Sequence, residues 1–429
     1  MCKMKTIAVI MAAVVMLFAA HKAATAKSQP PKNEVDKNTK QPETISPHIW
    51  APAVKPKPLS ESVKKGLQWL VEHQCENGGW SQGEESSHMS HSLDHLKDKP
   101  NVADTCAAAL TLIRSGSTPA TGLYAKNIFN AVNYVCSEVQ KSDANSLFIT
   151  SIRDTRLQMK LGTYIDTFLA SLLFAEVTGK MPDAESEKML AEAYNKVMDK
   201  IERNQHTDGT FGGTGWANAL SISLASKGLN RAAQAGGRVN EKVRQRLETY
   251  ARRKYDRETG SFSEEGSAGV QLYAGSASLS AMQDSDNTNA IQQSELEKKL
   301  ENVKGSEERE QIQQTLQRFK QNRDDLEAAK KTIVDKLDDE KFIAGFGSNG
   351  GEEFLSYMNI GESLVVKGGP EWEKWDKEIT TNLNRIQNND GSWTGHHCIT
   401  GRTFCTSASL LVLMTDRAPV PIAAKLRQQ

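Results

Sequence analysis

Apolar residues recur at helical spacing in four segments of the chain, residues 63–74, 190–205, 243–255 and 372–387. Apolar positions three and four residues apart place one apolar stripe on a helix whose other side is polar. Each segment ends at a short turn that contains glycine, and a second segment rich in small and apolar residues follows it. Helices of this second kind suit a crowded, buried position. The pattern therefore predicts helix–turn–helix units and an all-α fold.

The turns share the form Gln-x3-Gly-x-aromatic. The full copies are Gln74-Gly78-Trp80, Gln205-Gly209-Phe211 and Gln387-Gly391-Trp393. Residues 256–262 carry a variant with Asp in place of Gln, and degenerate copies at residues 125–179 and 341–369 fill the gaps. We therefore predict six repeat units of about 50 to 65 residues each.

Residues 283–340 interrupt the repeats. This segment is dense in Glu, Lys, Gln and Arg, and its apolar residues are sparse. Gly305 marks the expected break between two helices. The composition predicts an antiparallel helical hairpin inserted after the fourth unit, with a narrow apolar seam and solvated outer faces. Two roles remain open. The hairpin is either an arm that docks a partner or a tolerated surface insertion, because long insertions cost little free energy.

The N-terminus has the pattern of a secretory signal. Lys3 and Lys5 precede an apolar run at residues 7–20, and small residues follow at 24–26. The run is shorter than the roughly 20 residues that span a bilayer, although an uncleaved anchor remains the alternative. We predict a signal peptide at 1–26, a flexible linker at 27–58, a folded region at 59–419 and a tail at 420–429. The protein is then exported, periplasmic or secreted, with no transmembrane segment after cleavage.

Charge and common motifs exclude several classes of function. Lysine plus arginine and aspartate plus glutamate number 53 each, so no basic field favours nucleic acid. The sequence contains no P-loop, no Gly-x-Gly-x-x-Gly after a strand, no His-Glu-x-x-His and no Gly-x-Ser-x-Gly elbow. Nucleotide-dependent activities and the common hydrolase activities therefore have little support.

The stretch KGLQWLVEHQCENGGW, residues 65–80, resembles the QW motif of the terpenoid cyclase and protein prenyltransferase superfamily, the prenyltransferase and squalene oxidase repeat. The resemblance covers residues 59–419 except the charged segment, and it implies an α/α toroid whose inner helices line a central cavity. In the family the Gln and Trp fasten one helix to the turn before the next. It therefore implies a structural role for Gln74, Trp80, Gln205, Phe211, Gln387 and Trp393.

The resemblance does not extend to the chemistry of the superfamily. Its squalene–hopene type cyclases carry Asp-x-Asp-Asp-Thr-Ala at the start of an inner helix, and the middle Asp donates the proton. The similar stretch here is residues 101–106, where Ala103 stands in place of that acid. We therefore expect a binding module of the cell envelope, for a small apolar ligand or an envelope protein. An enzyme acting on an isoprenoid or another apolar substrate in the central cavity is the alternative.

Candidate site residues follow from the predicted inner helices. Asp104 and Asp166 open two of them, either as acids at the rim of the cavity or as helix caps. The chief aromatic residues expected at the cavity are Trp216, Tyr273, Tyr357 and Phe404.

Histidines and cysteines form two groups after equivalent turns. His88, His91 and His95 share one helical face if their segment is helical, and His397-Cys398 lies near Cys405. Ring closure would bring the last unit beside the first, so we hypothesise a metal site, zinc being the candidate, from His91, His95, His397, Cys398 and Cys405. The alternatives are solvated histidines in a polar loop and a local disulfide between Cys398 and Cys405.

Overall fold

A computed structural model describes residues 50–86, 89 and 91–422, and within these ranges the protein is all-α, as predicted. Six helices line the inside of a ring: α2 (Val102–Arg114), α5 (Ile165–Val177), α7 (Asn218–Gln234), α9 (Gln271–Asn302), α12 (Gly351–Val365) and α14 (Arg402–Leu413). Six lie outside them: α1 (Glu61–Glu72), α3 (Ala125–Lys141), α6 (Ala184–Asn204), α8 (Glu241–Arg253), α10 (Ser306–Val334) and α13 (Pro370–Arg385). Two short helices, α4 (Arg156–Lys160) and α11 (Glu340–Ile343), belong to the connections.

The inner helices close into a ring. Each packs against the next in chain order, and α14 packs against α2, which joins the last unit to the first. Their first turns meet at one end, where the backbone N–H of Ala103 on α2 donates to Asp166 Oδ1 on α5 at 3.1 Å. Likewise Tyr273 on α9 donates its hydroxyl to Glu353 on α12. We call this end, where the inner helices begin, the mouth.

The repeated turns join neighbouring units. Gln74 Nε2 donates to Gly78 O at 2.8 Å within its own turn and to Asn127 O at 2.9 Å on α3. The indole N–H of Trp80 donates to Leu70 O at 2.8 Å, so the aromatic ring is held under the helix that precedes the turn. The last unit repeats these contacts with Gln387, Trp393 and the start of α1.

The third unit has a Phe where the others have Trp. Gln205 still donates to Val243 O at 3.0 Å on the next outer helix. Phe211 is buried with its ring centre 4.9 Å from that of Phe168 on α5, so it contributes packing and no indole hydrogen bond.

The centre of the ring is nearly filled, which differs from the predicted central cavity. The inner helices contribute mainly Ala, Leu and Met, and the space left between them has a volume of about 30 Å³. Such a volume holds one or two water molecules. Away from the mouth this space ends at buried charged side chains: Arg114, Lys227 and Glu362.

The charged segment at 283–340 is not an insertion. Helix α9 continues through it to Asn302, and its residues as far as Ile291 are buried. After Gly305, helix α10 returns along α9 and also contacts α8, so it occupies the outer position of the fifth unit. Its buried apolar residues are Ile312, Phe319, Leu326, Ala329 and Ile333. Residues 341–350, which were predicted to belong to the fifth unit, contain the end of the short helix α11 and turns, and α12 begins at Gly351.

The two ends of the described chain pair with each other. Strand β1 (Trp50–Pro52) is antiparallel to β4 (Pro419–Pro421), and the backbone N–H of Lys57 donates to Asp416 Oδ2 at 2.6 Å. Residues 50–58 are therefore packed on the ring, not part of a flexible linker as predicted. Strands β2 (Tyr255–Asp256) and β3 (Ser261–Phe262) form a small hairpin.

The predicted signal peptide, most of the linker and residues 423–429 of the tail lie outside the described residues. Within the described ranges, no helix combines the length and the apolar character that crossing a membrane requires.

Candidate functional site at the mouth

Two adjacent glutamates, Glu352 and Glu353, lie on the first turn of α12 at the mouth, and both side chains are fully buried. Gly351 permits this placement: a Cβ there would lie 2.5 Å from Cγ2 of Ile399, so only glycine lets α12 approach the loop before α14 so closely. This pair was not predicted from the sequence. The feature that could have indicated it is two consecutive acidic residues at the start of an inner helix, the position that Asp104 and Asp166 take in their own units.

The two carboxyl groups are only partly hydrogen-bonded. Glu353 Oε1 accepts from the Tyr273 hydroxyl and from Phe346 N at 3.0 Å. Glu352 Oε2 accepts from Ile399 N at 3.2 Å. Among the described residues, Glu352 Oε1 and Glu353 Oε2 have no hydrogen-bond partner. Buried polar atoms are seldom left in that state, so these two oxygens mark a place where a ligand would bind.

His397 completes the group. Its Nε2 lies 2.6 Å from Ser348 O and 3.4 Å from Glu353 Oε2. Glu352, Glu353 and His397 each offer one ligand atom, and these three atoms lie within 4.8 Å of one another. Among the described residues, this is the group that could hold a metal ion. Two carboxylates and an imidazole suit Zn²⁺ or Mn²⁺, since imidazole selects against Ca²⁺ and Mg²⁺.

Burial, and next the Glu353 carboxyl, raise the pKa of Glu352 to about 8. Burial also raises the pKa of Glu353, against the opposing effects of Phe346 N–H, the Tyr273 hydroxyl and His397. Without a cation beside it, Glu352 is therefore mostly protonated at neutral pH. A carboxyl pair with such values is a frequent feature of functional sites.

An exposed apolar surface adjoins the carboxyl pair. It consists of Met159, Trp216 and Phe346, which are 38%, 40% and 50% exposed, and we call it the ledge. The Trp216 and Phe346 rings meet edge to face, with centres 5.6 Å apart. The Phe346 ring centre lies 5.3 Å from that of His397, which connects the ledge to the metal-ligand group. Large apolar side chains clustered on a surface often mark a binding site.

Lys160 lies at the border of the ledge, with its Nζ 5.2 Å from the Trp216 ring centre. It forms no ion pair with any described residue. Arg156 on the same short helix is, in contrast, paired with Glu85 at 2.7 Å. Among the described residues, the mouth therefore presents an ammonium group that no carboxylate pairs with.

Asp104 and Asp166 are both buried at the mouth, but neither caps a helix. The cap of α2 is Asn101, whose Oδ1 accepts from Asp104 N at 3.0 Å. Asp166 accepts from Ala103 N and from Gln158 Nε2 at 2.7 Å, which fastens α5 to α2 and α4. Asp104 Oδ1 has no hydrogen-bond partner within the described part of the chain, and burial raises the pKa of this residue to about 7.

The predicted metal-site residues are not brought together as a set. His95 is exposed, and the side chain of His91 lies outside what the structure describes. Cys398 and Cys405 are buried thiols, and no disulfide is formed in the described chain. Burial, as the largest cause, raises the pKa of Cys398 to about 11, so this thiol is protonated at neutral pH and is a poor ligand. Of the predicted set, His397 belongs to the metal-ligand group.

The predicted cavity aromatics lie in four different places. Trp216 is on the ledge, and Tyr273 is buried against Glu353. Phe404 lines the small central space. Tyr357 donates to Ile343 O at 2.7 Å and lines a groove of about 390 Å³ between α13 and residues 337–349.

Comparisons with known proteins add little to this description. No family model matches the chain, and no curated protein matches it. A solved structure described as "a novel alpha-amylase from Clostridium perfringens" matches with a TM-score of 0.48 and 9% sequence identity, over 84% of this chain and 99% of that chain.

Proposed function

We propose that the protein is an exported binding toroid of the cell envelope whose ligand site is a divalent metal centre at the mouth, formed by Glu352, Glu353 and His397. The observation that carries the proposal is the convergence of three ligand atoms within 4.8 Å, two of which belong to fully buried glutamates with unpartnered oxygens. Leaving such a group unsatisfied costs about 1–3 kcal/mol each, which a bound cation would offset.

The surroundings of the three side chains favour a metal ion. One oxygen of Glu353 accepts hydrogen bonds from the Tyr273 hydroxyl and from Phe346 N, and one oxygen of Glu352 accepts from Ile399 N. These bonds fix the direction in which the other oxygen of each carboxyl group points. His397 Nε2 lies beside Ser348 O, and its Nδ1 is buried without a hydrogen-bond partner among the described residues. Oriented ligands with a second layer of hydrogen bonds are characteristic of metal sites.

The alternative, an enzyme acting on an isoprenoid or similar substrate in the central cavity, has less support. Ligand pockets measure about 300–1,000 Å³, whereas the space inside the ring is about 30 Å³. The mouth, where polar and apolar groups are both accessible, is the better location for a ligand. Export itself rests on the pattern at residues 1–26.

Equilibrium dialysis of the purified mature protein against Zn²⁺, Mn²⁺ and Ca²⁺, followed by elemental analysis, tests the metal site. We expect one Zn²⁺ or Mn²⁺ per chain, and weaker Ca²⁺ binding. Glu353→Gln and His397→Ala should each weaken binding at least 10-fold.

Two control variants make the result specific. Asp104→Asn removes another buried acid of the mouth and should leave metal binding unchanged. His91→Ala removes a member of the set predicted from the sequence and should also have no effect. If His397 and Glu353 form only an ion pair, the protein will bind no metal at micromolar concentration, and the proposal is then wrong.

A further inference from the structure

The metal-ligand group, the ledge and Lys160 adjoin one another at the mouth. His397 links the first two, because its ring contacts Phe346 at a centre separation of 5.3 Å. Trp216 links the ledge to Lys160, whose Nζ lies over the indole ring at 5.2 Å. A ligand on the ledge would therefore reach both the metal and the ammonium group.

Each of the three parts selects a different chemical property. Trp216 and Phe346 offer two aromatic rings that meet at a right angle, which suits a compact ring with exposed C–H groups better than a long hydrocarbon chain. A metal held by three protein ligands keeps coordination positions open for oxygen donors. Lys160 has no carboxylate partner among the described residues, so it attracts an anion.

We infer that the ledge binds an anionic saccharide of the uronate class, with one sugar ring packed on Trp216, its hydroxyl groups directed to the metal and its carboxylate directed to Lys160. The inference rests on the proposed metal centre for the hydroxyl contacts. A uronate combines all three properties in one residue: a C–H face, adjacent hydroxyl groups and a negative charge. An uncharged sugar lacks the third property, and a fatty acid lacks the second.

The geometry of the mouth also limits the size of the ligand. Trp216 and Phe346 meet edge to face at 88°, so they form a corner and not an extended stacking platform. The corner accommodates one sugar ring in full contact, with neighbouring rings of an oligomer extending into solvent. We therefore expect affinity to rise little beyond the disaccharide.

Isothermal titration with di-galacturonate, with the uncharged digalactose as the matched control, tests the inference. Measurements are made on the full mature chain with saturating Zn²⁺ or Mn²⁺. We expect di-galacturonate to bind at least 10-fold more tightly than digalactose. Trp216→Ala should weaken binding of di-galacturonate at least 10-fold, and Leu123→Ala, a substitution of an exposed apolar residue outside the ledge, should leave it unchanged.

The variants separate the two proposals. Trp216→Ala and Lys160→Gln should keep metal binding intact by equilibrium dialysis, whereas Glu353→Gln should lose both metal and sugar. Lys160→Gln should abolish the preference for the charged sugar. If the protein binds metal but neither sugar, or binds di-galacturonate equally well after Trp216→Ala, the saccharide inference is overturned and the metal centre stands. If metal does not bind, the metal centre fails by its own measurement.

Discussion

Lys227 Nζ lies 2.9 Å from Glu362 Oε2, and both side chains are buried at the centre of the ring. The other oxygen of Glu362 lies 2.8 Å from Arg114 Nη2, and Asp284 lies 3.0 Å from Lys227. These four residues belong to four different inner helices, so one charge cluster joins much of the ring. Because oppositely charged side chains must lie close together to neutralise one another, the four side chains draw together at the centre of the ring. This explains why the inner helices enclose so little space.

Removal of Glu362 should destabilise the protein strongly. Glu362→Ala leaves Lys227 and Arg114 buried without their shared carboxylate, and breaking a buried ion pair costs about 3–5 kcal/mol. Urea unfolding measures the loss. Glu61→Ala, which removes an exposed partner of Lys64, is the control and should cost far less. Equal losses in the two variants would contradict the role assigned to the cluster.

The repeated glycine of the Gln-x3-Gly-x-aromatic turn should tolerate no side chain. Gly78 has φ +88°, and a Cβ on it would lie 2.5 Å from the carbonyl oxygen of Asn130 on α3. Gly116 has a similar conformation, φ +111°, with open space around it. Gly116→Ala should cost only the conformational penalty, about 1–2 kcal/mol. Gly78→Ala should cost about 1–3 kcal/mol more, because α3 must move.

Thermal unfolding of the two alanine variants separates these effects. The comparison is matched because both residues are glycines of left-handed conformation beside α2. If Gly78→Ala lowers the Tm no more than Gly116→Ala does, the close approach of turn and outer helix is not what requires the glycine.

The six-unit architecture could be predicted because its signal is local and repeated. In every full copy the Gln donates to the backbone of its own turn and of the next outer helix, and the Gly takes a positive φ, so these residues recur with the geometry. The repeat pattern did not predict the outer helix α10. Its preceding turn lacks the motif, and its large buried apolar residues, Ile312, Phe319, Leu326 and Ile333, form a narrow stripe on a charged helix. Such a stripe is equally typical of a solvated hairpin.

The metal-ligand group could not be predicted because its members come from distant parts of the chain. Glu352 and Glu353 at the start of a helix have an ordinary explanation, since acids are favoured there by the helix dipole. Only tertiary packing of α12 against the loop before α14 buries them and places His397 beside them. The pattern of His and Cys residues indicated one member of the group, His397, and also His95, Cys398 and Cys405, which do not join it.

Gln387 should matter for closing the ring. Its Nε2 donates to Ser62 O at 2.9 Å and to Gly391 O at 2.8 Å, and its Oε1 accepts from Ser62 Oγ at 2.7 Å, so it fastens the last unit to α1. Gln387→Ala leaves these groups unpaired and should cost about 1–3 kcal/mol. Hydrogen exchange should show faster exchange at the amides of α1, with α5 unaffected.

An exposed glutamine provides the control for that variant. Gln68 on α1 makes one hydrogen bond to Glu72 at 2.8 Å on the helix surface. Gln68→Ala should change stability by less than about 0.5 kcal/mol and should leave exchange in α1 unchanged. Faster exchange in α1 after both substitutions would mean that α1 is weakened by any change, and not by the loss of ring closure.

Asp104 should make the protein less stable as the pH rises. Burial raises its pKa to about 7, whereas an aspartate in an unfolded chain titrates near pH 3.9. Between these values the folded state binds more protons than the unfolded state, so the free energy of unfolding falls as the pH rises. The favourable contribution is complete below pH 3.9 and is lost as the pH rises through about 7. At about 1.4 kcal/mol per pH unit, the loss amounts to at most about 4 kcal/mol.

Asp104→Asn removes this titration and keeps the acceptor for Asn101 Nδ2. The Tm of the variant relative to the wild type should therefore rise between pH 4 and pH 8. Asp183→Asn is the control and should follow the wild-type Tm in parallel over this range. Hydrogen bonds from Ser186 lower the pKa of Asp183, so the wild-type residue stabilises the fold above pH 3.9 and loses that effect only as the pH falls below this value. If Asp104→Asn also follows the wild-type Tm in parallel from pH 4 to pH 8, Asp104 is ionised in the folded protein, and its unpartnered oxygen is then satisfied by a group that stabilises the anion.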